Sequence, residues 1–209
     1  MKQDVKGRRQ LVAGLGAAAT AVAVGARPSA LAPAHFTPTR HSQDEWMGKM
    51  TGSHRVIQDI TTAQGMPDGI RFVGNLYTGH QSGYNVPESD LAVIVVLRHS
   101  ATAYGYNNTF WTKHGAELAS QAGSLPVGNP YDSGDRVQLS TLAKRGVQFM
   151  VCGTASRGLS RRLAGEKGDA DAMFKEMEAN LISSARIVPA GVVGVTHAQE
   201  YGFTYLFVG

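Results

Sequence analysis

Apolar residues fall into short runs separated by stretches of helical spacing. The most uniform run beyond residue 32 is Leu91–Leu97, Leu-Ala-Val-Ile-Val-Val-Leu. A continuous run of this kind suits a central parallel strand covered on both faces. Residues 147–151, Val-Gln-Phe-Met-Val, read as a second short buried strand, and 54–60, 185–188 and 203–208 as three more. Ile70, Val73, Leu76 and Tyr77 repeat at helical spacing and predict a helix over 67–82. Phe110, Trp111, His114 and Leu118 predict one over 107–118, and Met173, Phe174, Met177 and Leu181 one over 169–181. Helices are also expected over 136–144, 155–163 and 192–201, the last capped by Gly202. Gly, Pro, Asp and Asn crowd 123–134, which reads as a loop. Strands alternating with helices predict one α/β domain with a mostly parallel sheet, whose ligand-handling edge lies at the C-terminal ends of the strands.

The N-terminal pattern is different. Basic residues up to Gly7-Arg8-Arg9-Gln10-Leu11 lead into an Ala- and Gly-rich apolar run to Val24, and Ala30-Leu31-Ala32 follows as a small-residue cleavage site. This order predicts an export signal over 1–32, removed after Ala32, and a periplasmic or otherwise extracytoplasmic mature protein. The paired arginines resemble a twin-arginine signal, although Gly7 and Leu11 stand where that motif has Ser or Thr and often Phe. The run is short and poor in large apolar residues, which argues against a stable membrane span. Residues 33–53 are polar and mixed and read as a flexible arm, leaving 54–209 as the folded domain.

Charge follows the same division. Five of the 20 Lys and Arg lie in residues 1–32 against Asp4 alone, and the other 15 are balanced by 15 acidic residues. The mature domain is therefore neutral, and no nucleic-acid partner is expected.

Cys152 is the only cysteine and stands where the 147–151 strand ends. Gly153 breaks the run before the next helix. Free backbone N–H groups at a helix start stabilise negative charge, and the thiolate is the reactive form of a cysteine. Arg157 lies early in that helix, where its charge is expected to stabilise the thiolate. A buried, inert residue is the other reading of Cys152, a common fate for free cysteine. A lone cysteine in an oxidising compartment makes no internal disulfide, so it is buried, reactive or joined to another molecule.

His99 follows the Leu91–Leu97 run, which puts it on the same sheet edge as Cys152, in a position to act as acid or base near the thiol. A loop histidine bonded to backbone is its other reading, and the same two readings hold for His54. The seven histidines include no pair at metal spacing on one helix and there is no cysteine cluster, so no metal site is expected. Thr154-Ala155-Ser156-Arg157-Gly158 lacks the first glycine of a nucleophile elbow, which argues against a serine hydrolase. Gly14-Leu15-Gly16 has no strand before it, so no nucleotide cofactor is expected. Trp111 and Phe110 read as packing in the core or at a subunit contact in preference to binding a ligand, and Trp111 or Phe110 is expected to contribute to a subunit contact.

The strand leading to Cys152, the segment Arg186-Ile187-Val188-Pro189-Ala190-Gly191-Val192-Val193 and the segment from His197-Ala198-Gln199-Glu200-Tyr201-Gly202 to Phe203-Thr204-Tyr205 together resemble the DsrE/DsrF-like family. The resemblance covers about residues 54–208. It implies a single three-layer α/β domain with a mainly parallel five-stranded sheet, assembled as trimers or hexamers. It also implies that Cys152 matches the persulfide-carrying cysteine of sulfur-relay members, with a donor or acceptor protein thiol as partner. Export is a departure from those members, which are normally cytoplasmic. The shorter basic patch after the cysteine, here Arg157, Arg161 and Arg162, is another. A non-catalytic oligomeric binding protein with a packed cysteine is the alternative.

Overall fold

The computed structural model describes residues 37–123, 128–132 and 138–209. The candidate signal over 1–32 lies outside the described residues. From Pro38 to Gly209 the chain forms one compact unit. Its elements are α1 (Glu45–Lys49), β1 (His54–Ile60), α2 (Met66–Tyr84), β2 (Leu91–Leu97), α3 (Asn108–Ala122), α4 (Leu139–Lys144) and β3 (Gln148–Cys152). They continue with α5 (Gly153–Ala164), α6 (Ala170–Ala179), β4 (Ala185–Val188), α7 (Gly191–Glu200) and β5 (Thr204–Val208). Short 3-10 segments occupy Ser42–Asp44, Glu88–Asp90 and His99–Gly105.

The five strands form one sheet in the order β4-β3-β2-β1-β5, and every pairing is parallel. All seven residues of β2 are buried, as its apolar run predicts for a central strand. One face of the sheet, with Ile60, Val93, Val95, Leu97, Phe149 and Val151, packs against helices α2 to α6. The other face, with Ile57, Ala92, Ile94, Val96, Met150 and Val188, packs against Met47 of α1 and Val195 and Ala198 of α7. The domain is therefore a three-layer α/β fold.

Chain direction explains this division of helices. From β1 to β4 the chain steps across the sheet in one direction, and a right-handed crossover then puts each connecting helix on the same face. The last connection returns from β4 at one edge to β5 at the other. Reversing the direction of travel while keeping the hand sends α7 to the opposite face. Gly191, Gly194, Val195 and Ala198 form its buried stripe. A Cβ on Gly194 would lie 2.8 Å from Met150 Sδ, so the missing side chain lets α7 sit close to β3.

Two expectations are corrected. The segment from Pro38 to Ser53 is part of the domain and not an arm. Met47 is fully buried on the α7 face, Arg40 donates to the Glu200 carbonyl at 2.7 Å, and Asp44 Oδ2 lies 2.7 Å from His197 Nδ1. Its polar composition hid three apolar side chains that anchor it, Met47 and, packed beside it, Trp46 and Met50. Phe110 and Trp111, 1% and 0% exposed, are not surface groups. Trp111 Nε1 donates to the Ala103 carbonyl at 3.0 Å and its ring stacks on Tyr104. The aromatic pair fills the core between α3 and the 99–106 segment, where a subunit contact does not reach it.

Candidate functional site

Cys152 is the last residue of β3, and the chain leaves that strand into α5 on one face of the sheet. The neighbouring strand β4 leaves into α7 on the other face. The connections after β3 and β4 therefore diverge to opposite faces of the sheet, the kind of switch point at which open α/β sheets bind ligands. Two helices start there, α5 at Gly153 and α7 at Gly191. Cys152 pairs with Val188 of the neighbouring strand. A Cβ on Gly153 would lie 2.6 Å from the Val188 carbonyl oxygen and 2.9 Å from that of Pro189. Only glycine permits so close an approach of the two strand exits.

Cys152 is 8% exposed, less than its place at a strand end suggests. It belongs to neither apolar cluster of the two faces. Its Sγ accepts a hydrogen bond from the Gly191 N–H at 3.2 Å. The sulfur thus engages the first amide of α7, where the sequence pointed to the start of α5. Cys152 is the N-cap residue of α5, yet its side chain makes no capping hydrogen bond there. The extended φ and ψ of Cys152, −68° and 110°, let its backbone turn into α5 while the side chain leaves on the α7 face. Ser156 holds the backbone at this point, donating to the Cys152 carbonyl at 2.9 Å and accepting from Tyr106 Oη at 2.5 Å. Burial pushes the Tyr106 phenol well above the usual tyrosine range, so it stays a donor.

Next to the cysteine is an ion pair that sequence reasoning missed. Arg98, one residue beyond β2, donates from Nε to Asp59 Oδ1 at 2.8 Å and from Nη2 to Asp59 Oδ2 at 2.9 Å. The Asp59 side chain is 1% exposed and that of Arg98 17%. Tyr205 Oη donates to Asp59 Oδ2 at 2.9 Å. The Asp59 hydrogen bonds raise the Arg98 guanidinium above its ordinary value, and burial followed by the Asp59 bond raises the Tyr205 phenol. A Cβ on Gly191 would lie 2.9 Å from Arg98 Cβ, 3.1 Å from Arg98 Cδ and 3.4 Å from Cys152 Cβ. The Arg98 stem and Cys152 therefore press on the same glycine. In sequence, the only signal was a carboxylate near the end of one buried strand and an arginine directly after another.

His99 lies on the same edge, as its position after β2 predicts. It is exposed, has a φ of 52°, and its Nε2 lies 2.6 Å from Arg98 Nη1. Guanidinium groups only donate, so Nε2 accepts and the ring is bonded to Arg98 in place of the thiol. Arg157 does not join this group. Its Nη1 is 3.2 Å from Asp171 Oδ1 and its guanidinium lies 4.0 Å over the Phe174 ring. The expected thiolate partner is thus engaged by α6, because α5 turns its fifth residue toward that helix. His54 begins β1 at the opposite end of the strands and packs against His80, ring centroids 4.9 Å apart.

Among the described residues, no group of three or more His, Cys, Asp or Glu could hold a metal ion, and no helix is long and apolar enough to cross a membrane. A cavity of about 280 Å³ opens at the other end of the sheet, between Lys49, Glu88, Arg145 and Gln148, away from Cys152.

No family model matches the chain, and no curated protein matches it in sequence. Among solved structures it is similar to MTH1491 from Methanobacterium thermoautotrophicum, titled a protein of unknown function, at 16% identity and a TM-score of 0.40. That likeness covers 74% of this chain and 99% of the other.

Proposed function

We propose that the protein is an exported carrier of sulfane sulfur, of the DsrE/DsrF-like kind, with Cys152 as the carrying thiol. The supporting observation is the hydrogen bond from the Gly191 amide to Cys152 Sγ at the divergence of β3 and β4. Hydrogen bonds to a charged acceptor are the stronger kind, and this amide points at the sulfur that attacks. The Cys152 thiolate attacks the outer sulfur of a donor persulfide, the donor S–S bond breaks, and the donor leaves as a thiolate. Cys152 then holds the persulfide. A thiolate on an acceptor protein attacks the same outer sulfur and releases Cys152 as a thiolate. Neither step needs an external oxidant or reductant.

The signal pattern over 1–32 supports export, and the family resemblance supports assembly as a trimer or hexamer. N-terminal sequencing of the exported protein checks the first, with the mature chain beginning at Pro33. Light scattering checks the second.

Intact-mass measurement after polysulfide exposure tests the carrier role. The folded parent gains one sulfur atom, and Cys152→Ser gains none. The 8% exposure of Cys152 favours the rival reading, an oligomeric binding protein with a packed cysteine. An adduct that forms only after denaturation establishes that rival.

A further inference from the structure

We infer that Arg98, held by Asp59, is a positioning residue for Cys152 that acts through Gly191. The inference rests on the reading of Cys152 as a reactive thiol. Asp59 uses both carboxylate oxygens on the guanidinium fork, and Tyr205 adds a third hydrogen bond to the same carboxylate. A bidentate pair fixes the plane and direction of the guanidinium, and with it the aliphatic stem behind it. That stem runs directly over Gly191, at the contact distance that a Cβ there would violate. Gly191 is the first residue of α7, and its N–H has no partner within that helix. The amide is instead directed onto Cys152 Sγ.

The chain of contact is therefore Tyr205, Asp59, Arg98, Gly191 and Cys152, drawn from β5, β1, the end of β2, α7 and β3. The titratable and charged groups around Gly191 and the sulfur are Asp59 from β1, Arg98 and His99 beyond β2, Tyr205 from β5 and, on the α5 side, Tyr106, whose phenol interacts electrostatically with Cys152. Removing one partner of a buried ion pair leaves the other charge uncompensated and destabilises the fold for reasons unrelated to the thiol. The pair must accordingly be altered together.

The test uses the double variant Asp59→Asn/Arg98→Met in the mature chain, which removes both charges while keeping an unbranched stem. Alkylation of Cys152 by neutral iodoacetamide is timed at about pH 6 and about pH 9, where the thiolate fraction of a cysteine differs. The ratio of the two rates cancels accessibility, which multiplies both. The ratio at the lower over the higher pH is expected to fall by about three- to tenfold, the effect of weakening one hydrogen bond to an anion. Hydrogen exchange of the Gly191 amide is expected to quicken. Tyr205→Phe, a change at a 41% exposed residue, shifts both readouts in the same direction by less. It also serves if the double variant does not fold. Faster alkylation at both pH values with an unchanged ratio and unchanged Gly191 exchange reduces Arg98 to a cover over the thiol and overturns the inference. No change in either readout overturns it too. A folded parent whose thiol is inert at both pH values defeats the carrier reading alone, and Gly191 exchange in the variants still decides whether Arg98 holds the amide.

Discussion

The N–H of Gly191 lies 3.2 Å from Cys152 Sγ, joining the first residue of α7 to the last residue of β3. Between these two residues and Arg98 there is no room for a further carbon: a Cβ on Gly191 would sit 2.9 Å from Arg98 Cβ. Gly191→Ala therefore displaces the start of α7. The clash is with a stem atom close to the backbone, which cannot swing aside. Urea unfolding should show a loss of about 1–3 kcal/mol, typical of overpacking at a tight site. A variant as stable as the parent would mean that α7 shifts freely.

Arg157→Ala should leave the reaction of Cys152 with neutral and negatively charged thiol reagents in the same proportion as in the parent. The guanidinium is taken up by Asp171 and the Phe174 ring. The pair is exposed, 51% and 85% by side chain, so its loss should cost less than about 1 kcal/mol. Selective slowing of the anionic reagent in this variant would put Arg157 back at the thiol.

Tyr106 gives an alkaline limit. Its phenol is fully buried, bonded to Ser156, and pushed up by burial from 10.0. In the unfolded chain it ionises near the ordinary value, while in the folded chain it keeps its proton. The folded state then binds more protons, so stability is complete below about pH 10 and falls as the pH rises beyond it. Tyr106→Phe should lose about 1–2 kcal/mol at neutral pH, from the Ser156 hydroxyl left without its donor, and decline less steeply above about pH 10. Parallel stability curves for the two proteins would contradict this account.

Trp111→Ala tests the reassignment of the aromatic pair from interface to core. Trp111 is fully buried, stacked on Tyr104 and bonded to the Ala103 carbonyl. Its removal should destabilise the fold by about 3–5 kcal/mol, as for other large-to-small core changes. The oligomeric state at equal folded concentration should not change. A dissociated but equally stable variant is the result that restores the interface reading.

Much of the architecture was legible along the chain. His54–Ile60, Leu91–Leu97 and Ala185–Val188 are strands at the bounds their apolar runs predict, and Gly191–Glu200 begins one residue before its expected start. These segments are readable because burial on one or both faces imposes a local period, and local periods survive in one dimension. The position of Cys152 at a strand-to-helix exit was legible for the same reason. The segment around Met47 was not, because Trp46, Met47 and Met50 lie on a five-residue helix within a polar stretch, too short to establish a period. Nor could the chain alone show which helix start the sulfur meets. That follows from the return of the chain from β4 to β5, which turns α7 to the face opposite α5 and brings Gly191 across to Cys152. Asp59 near the end of β1, Arg98 just beyond β2 and Tyr205 near the start of β5 are far apart in sequence, Asp59 and Tyr205 being 146 residues apart. Their meeting is a consequence of parallel register and crossover hand, which place distant residues side by side without leaving a mark on the residues between them.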